Sequence, residues 1–222
     1  MDKLFDLLKT KFPNSTMALT TDSSSLLNCE GVTHPDVPFL FRPQNREECI
    51  EFVKICHEQR RPYYVYSRGN NWGYGCRIPA APNCIQLDLS RLNSISNFNQ
   101  ELGMVEIEPG VSQEMLYQHL QHSSWMIPTT GAGLEGSLVG NALDRGFGLN
   151  PISDHCSAII SMEVLLSDGS LLKSKLVEMG AHKSDAASKW KIGPYFEGLF
   201  SQSNLGVVLS VTLALAPRPQ AV

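Results

Sequence analysis

The chain has 222 residues, 42% of them apolar, which suits one substantial domain or two small lobes sharing a core and excludes a disordered tail. Its formal net charge of −4 provides no basic field for a nucleic-acid partner. No run approaches ~20 uninterrupted apolar residues, so no membrane span is expected, and an N-terminus that mixes charge into Leu and Phe lacks a signal-peptide core, making the cytoplasm the expected compartment.

From the N-terminus, Leu4 to Lys11 reads as a short amphipathic helix with Leu4, Leu7 and Leu8 on one face, stopped before Pro13. Residues 14–38 carry no steady period and are rich in Ser, Thr, Asn and Asp, as in a surface loop. Asn45 fits an N-cap, with Glu48 placed to reach back as in a capping box, and Ile50, Val53 and Cys56 form a core-facing stripe through about His57. Pro62 separates that helix from Tyr63 to Tyr66, an aromatic and β-branched strand, and Cys84 to Leu89 is a second strand.

A second lobe is expected from near Met104. Val105 to Glu108 alternates as a half-exposed strand should, and Pro109-Gly110 turns it. Ser112 is placed to cap a helix carrying Met115, Leu116 and Leu120. Ala158 to Leu166 and Ser170 to Leu176 flank Asp168-Gly169, a hairpin signal, and Leu205 to Leu215 is a closing strand before Pro217 and Pro219. The expected architecture is α+β, one domain with lobe one at about residues 1–100 and lobe two at about 101–219.

The six cysteines form no C-x-x-C pair, and buried or partly buried thiols are expected rather than disulfides or zinc ligands. Among the histidines only His119 and His122 have a ligand-like spacing, without a third ligand, so no metal site is expected.

Two glycine-rich segments carry the functional signal. The first, Ser67 to Gly75, directly follows a strand; its glycines allow positive φ and let backbone N–H groups approach an anion such as a pyrophosphate, with a plain surface turn as the alternative. It is neither a Walker loop, lacking Gly-Lys-Ser/Thr, nor a Rossmann fingerprint, because no helix opens inside the glycines. The second, Gly131 to Gly148, has six glycines among 18 residues, against which a flat or extended ligand could lie; a tightly packed bend is the alternative. There Ser137 and Asn141 are candidate hydrogen-bonding groups and Arg145 a candidate phosphate partner. His155 adjoins Asp154 as a candidate acid–base pair, or as a partly buried histidine beside a loop-capping aspartate.

Gly-Asn-Asn-Trp-Gly-Tyr-Gly (69–75), Ser-Leu-Val-Gly-Asn-Ala-Leu-Asp-Arg-Gly-Phe-Gly (137–148), Asp154-His155, Met162 to Gly169 and Gly193 to Val208 resemble, in order and at matching spacing, the vanillyl-alcohol oxidase and para-cresol methylhydroxylase family of flavoproteins. Arg42-Pro43, Glu47-Glu48 and Val105 to Gly110 extend the resemblance to roughly residues 40–219. It implies a two-lobed FAD-binding domain of the vanillyl-alcohol oxidase type without the cap (substrate) domain, FAD as cofactor, a small organic substrate oxidised by hydride transfer, and a second polypeptide or homo-oligomer covering the flavin. A non-catalytic FAD-binding or interaction module is the other reading. The resemblance assigns cofactor binding to Arg68, Gly69, Asn70, Asn71, Gly73, Tyr74, Ser137, Gly140, Asn141, Arg145, Gly148, Gly206 and Val207, and catalytic roles to Tyr74 and His155. Departures accompany it: Ala132 stands where the phenol oxidases carry an aspartate, with Glu135 displaced by three positions, and Leu149 stands where they carry a tyrosine. Simple para-alkylphenol oxidation is therefore not expected. The pyrophosphate loop lacks the histidine through which related enzymes attach FAD, so non-covalent binding is expected.

Overall fold

Two compact units organise the chain, Met1–Leu92 with Ser167–Gly169, and Asn93–Leu166 with Ser170–Val222. The computed structural model describes residues 2–19, 37–71, 77–79, 81–127, 129–148, 153–172 and 174–220. Among these, no helix is long and apolar enough to cross a membrane.

In the first unit, helix α1 (Lys3–Lys11) starts where the Asp2 carboxylate accepts from Leu4 N. Leu4 and Leu8 are buried, whereas Leu7, expected on the same face, is exposed. The stretch expected to be loop contains a strand, β1 (Thr16–Ala18), antiparallel to β2 (Phe39–Phe41). Three-residue strands are too short to show a period, which is why neither was legible.

Helix α2 (Arg46–Glu58) is capped by Asn45, whose side chain accepts from Glu48 N. The Glu48 carboxylate bonds Gln44 N at 2.9 Å and Ser15 Oγ at 2.6 Å, tying the cap to β1 rather than closing a capping box on Asn45. Strands β3 (Tyr63–Tyr66) and β4 (Ile85–Asp88) complete a sheet ordered β1-β2-β4-β3, in which β2, β4 and β3 run parallel. Phe41 stacks on Phe52 of α2 with ring centroids 4.3 Å apart, and Phe39, Ile85 and Leu87 fill the remaining core. Cys49 and Cys56 lie in this layer, and burial pushes each thiol up to about 12, as expected of inert core groups.

The second unit is built on an antiparallel sheet, β5-β6-β10-β8-β9, with strands β5 (Ile95–Asn99), β6 (Met104–Ile107), β8 (Ile159–Leu166), β9 (Leu171–Leu172) and β10 (Gly206–Ala214). A separate two-residue pair joins β7 (Trp125–Met126) to β11 (Ala216–Pro217). Helix α3 (Gln113–Leu120) is capped by Ser112 Oγ and buries Leu116 and Leu120. Val105, Ile107, Val164, Val208, Val211 and Leu213 form the core beneath it. The hairpin turn falls at Asp168-Gly169, with Gly169 at φ +82°.

The strand expected to run through Leu176 ends early. Ser174 Oγ accepts from Val177 N and starts α5 (Lys175–Glu178), which leads to α6 (His182–Ala187). Lys191, its side chain 5% exposed, then ties α6 to the 3₁₀ turn Glu197–Phe200, with its Nζ 3.1 Å from Asp185 and 2.5 Å from Glu197.

Candidate functional site

The parallel strands of the first unit end together, and their last residues converge. Arg42 follows β2; its Nε and Nη2 lie 2.8 and 2.7 Å from Oδ2 of Asp88, the last residue of β4. The other carboxylate oxygen accepts from Ser90 N at 2.9 Å. Tyr66, the last residue of β3, directs its hydroxyl to the same carboxylate at 3.4 Å, and burial together with the Asp88 charge pushes the phenol well above its ordinary range. The chain leaves β3 into the first glycine segment, where Gly69 is left-handed at φ +70°. Open parallel sheets take ligands outside the carboxyl ends of their strands, where this loop starts. Arg77 lies against it: its Nη2 donates to Arg68 O at 3.3 Å, and its guanidinium carbon sits 5.9 Å from the Tyr66 ring centroid. Of the residues assigned to this loop, Arg68, Gly69, Asn70 and Asn71 are described, while Gly73 and Tyr74 lie outside the described residues.

In the second unit, the glycine-rich segment contains a short helix, α4 (Leu138–Leu143), that a glycine-punctuated run of six residues did not reveal. Ser137 is its cap, accepting from Gly140 N at 2.9 Å and donating to Pro109 O at 2.6 Å. Asn141 Oδ1 lies 2.5 Å from His155 Nδ1. Together these two side chains floor the ribbon Gly146-Phe147-Gly148, which bridges to Asp154 through Phe147. A Cβ at Gly146 would lie 2.3 Å from the Asn141 side chain, and one at Gly148 would lie 2.6 Å from both His155 Nε2 and Thr129 O. Glycine is required at both positions by close approach, and the intervening Phe147 is 73% exposed. Arg145, at φ +55°, donates from Nε to Ser201 Oγ at 2.8 Å. Gly206 packs against β8, where a Cβ would meet Val164 and the Leu165 carbonyl, and Val207 is a core residue. Ser137, Asn141 and Arg145 thus spend polar atoms on the fold itself, so the segment offers a ligand chiefly its backbone.

Asp154 and His155 each meet local partners. Asp154 Oδ1 accepts from Ser157 N at 3.2 Å, capping the 3₁₀ turn Cys156–Ala158. His155 is 2% exposed, and its Nε2 has no hydrogen-bond partner among the described residues. Burial lowers its pKa from 6.5, with the Asp154 charge opposing, so the folded state favours the neutral ring, Nδ1–H donating to Asn141. With the folded pKa depressed, the unfolded chain takes up the proton first, and stability falls as pH drops below about 6.5. His155→Gln is expected to lose less melting temperature than the unsubstituted chain between about pH 7.5 and pH 5.5. Equal losses would show that His155 does not titrate with folding.

Two features escaped sequence reading. Asp88 ends a fully buried strand, and its only signal was a carboxylate between Leu87 and Leu89. Arg77 is a lone basic residue just past the last glycine of the first segment.

The family model described as "FAD binding domain" matches residues 37–175. The 1'-carboxy-chondrochloren decarboxylase of Chondromyces crocatus is 38% identical over 210 residues, covering 92% of this chain and 39% of the relative. The 4-cresol dehydrogenase [hydroxylating] flavoprotein subunit of Pseudomonas putida is 31% identical, covering 78% of this chain and 34% of the relative. Among solved structures, p-cresol methylhydroxylase with substrate bound superposes with TM-score 0.91 at 25% identity, over 99% of this chain and 44% of that one. A 4-ethylphenol oxidase from Gulosibacter chungangensis superposes with TM-score 0.90 at 26% identity, over 98% of this chain and 43% of that one. The chain spans 34–44% of the length of these proteins. Helices and sheets in this order, the paired glycine segments and these matches establish that the chain belongs to the FAD-binding domain family of the vanillyl-alcohol oxidase and p-cresol methylhydroxylase flavoproteins.

Proposed function

We propose that this chain is the FAD-binding part of a flavin-dependent oxidoreductase that takes a hydride from a small organic substrate, its two units forming one cofactor domain and its substrate site completed by further polypeptide. The observation that carries this reading is the family match over residues 37–175 in a chain spanning about two fifths of its relatives. The described residues suit a diphosphate-bearing cofactor. Gly69, itself left-handed, opens a loop at the ends of three parallel strands, and a Cβ at Gly131 or Gly133 would meet nothing within 4 Å. When bound, FAD supplies the hydride acceptor, while the protein supplies binding and orientation.

In this reading Arg68, Gly69, Asn70, Asn71, Gly73 and Tyr74 hold the pyrophosphate. Gly140, Gly148 and Gly206 belong to the backbone offered to the cofactor, the last two held close to Thr129 and His155 and to Val164 and Leu165 by the absence of a side chain. Ser137, Asn141 and Arg145 fix the backbone that lies along it, Val207 anchors β10, and His155 supports the ribbon at Gly148. Tyr74 is the candidate to meet the substrate. The name of the Pseudomonas putida relative describes a flavoprotein subunit, which supports a second polypeptide over the flavin. Ala132, standing in place of a carboxylate, and a 38%-identical relative named as a decarboxylase favour a substrate other than a simple para-alkylphenol.

The loop carries no histidine among residues 67–75, so FAD is held without a covalent bond. The purified chain, loaded with FAD, should bleach with a chemical reductant. Acid precipitation should then leave the flavin in the supernatant. Colour retained in the denatured pellet would contradict non-covalent binding.

A further inference from the structure

Among the described residues, one carboxylate, Asp88, and two guanidiniums, Arg42 and Arg77, stand at the carboxyl ends of the first unit's strands. Asp88 is the buried carboxylate there, and Arg42, Ser90 N and the Tyr66 hydroxyl already occupy both of its oxygens. Arg77 is a second guanidinium in the same place, and among the described residues no carboxylate pairs with it.

The position of Arg77 is fixed from several sides. Its carbonyl accepts from Nε2 of Gln86, a buried residue of β4, at 2.7 Å. Its stem fills the space over Gly69, where an ideal Cβ would come within 2.4 Å of both Cγ and Nε. Its head lies over the Tyr66 ring and gives one donor to Arg68 O, the carbonyl that precedes Gly69. A guanidinium carries further N–H donors in a planar fork that matches phosphate oxygens two at a time. Such a group, half-buried and immobilised, loses little freedom on meeting an anion, and partial desolvation strengthens the contact.

We infer that Arg77 is the charged partner of the cofactor's pyrophosphate, bracing Gly69 with its stem and presenting its remaining guanidinium donors to the phosphate oxygens. This rests on the FAD-binding reading above.

The test is titration of the full chain with FAD over a range of salt concentrations, with ADP as competitor. Arg77→Met keeps the apolar stem and removes the charge. It should weaken FAD and ADP by roughly tenfold to a hundredfold, as expected for loss of a charge-assisted contact, and flatten the dependence of affinity on salt. Arg77→Lys should restore the salt dependence but only part of the affinity, because an ammonium lacks the fork. Unchanged affinity in Arg77→Met, or weakening with an unchanged salt slope, would overturn the inference and leave Arg77 a purely structural brace. If Arg77→Met does not fold, the unsubstituted chain and Arg77→Lys decide the matter: FAD binding insensitive to salt in both is incompatible with a phosphate partner at this position. Failure of the unsubstituted chain to bind FAD would instead refute the parent reading.

Discussion

Replacing Arg42 with methionine is expected to lower the melting temperature by roughly 6–12 °C, the shift that about 3 kcal/mol produces in a chain of this size. Methionine preserves much of the stem's apolar volume, so the loss is electrostatic. Asp88 has a side chain 3% exposed, and with Arg42 gone only Ser90 N and the Tyr66 hydroxyl, among the described residues, would hydrogen-bond it. An unpaired buried carboxylate costs several kcal/mol, and the partial exposure of Arg42, 28%, places the effect at the lower end because water reaches the pair. Adding Asp88→Asn removes the stranded charge and should recover part of the loss. Thermal melts of the two single variants and the double variant make the cycle. Additive losses would mean that the pair contributes no coupling, and the account of the strand ends as a charge-matched cluster would fail.

Gly148→Ala is expected to cost about 1–3 kcal/mol, or roughly 5 °C in melting temperature. The added methyl would sit 2.6 Å from the Thr129 carbonyl oxygen, which is backbone, and 2.6 Å from His155 Nε2. Neither can yield cheaply. The ribbon is held by Gly148 N to Ser153 O at 2.8 Å and His155 N to Gly146 O at 3.1 Å, and the imidazole is held by Asn141. Combining Gly148→Ala with His155→Ala should recover only part of the loss, because the Thr129 contact remains. Gly131→Ala is the control: it has open space around it, and its change should stay within about 0.5 kcal/mol. Melting curves that fail to separate Gly148→Ala from Gly131→Ala would show that the ribbon relaxes freely, and the close-packed floor would lose its support.

Long or strongly punctuated elements were legible in the sequence. Asn45 and Ser112 announced α2 and α3 because a cap is a local hydrogen bond between residues three apart. The Asp168-Gly169 hairpin was legible because Gly169 needs a positive φ. What escaped was either too short to show a period or decided by tertiary contact. β1, β2 and β7 have two or three residues, and α4 hides a glycine inside six residues. The candidate site divides the same way. Glycine spacing marked the two segments, but whether a polar side chain serves a ligand or the fold depends on partners distant in sequence. Asn141 meets His155 and Arg145 meets Ser201, so side chains nominated for a ligand are engaged internally. Arg77 and Asp88 gained their meaning only when three strand ends came together.

The measurement that bears most directly on the central claim is a fluorescence titration of FAD into the flavin-free chain, read by quenching of the flavin and by competition with ADP. Saturation at one FAD per chain, reversed by ADP, is the predicted result. A chain that remains folded by circular dichroism and neither quenches FAD nor binds ADP would contradict the assignment of these two glycine segments to a cofactor.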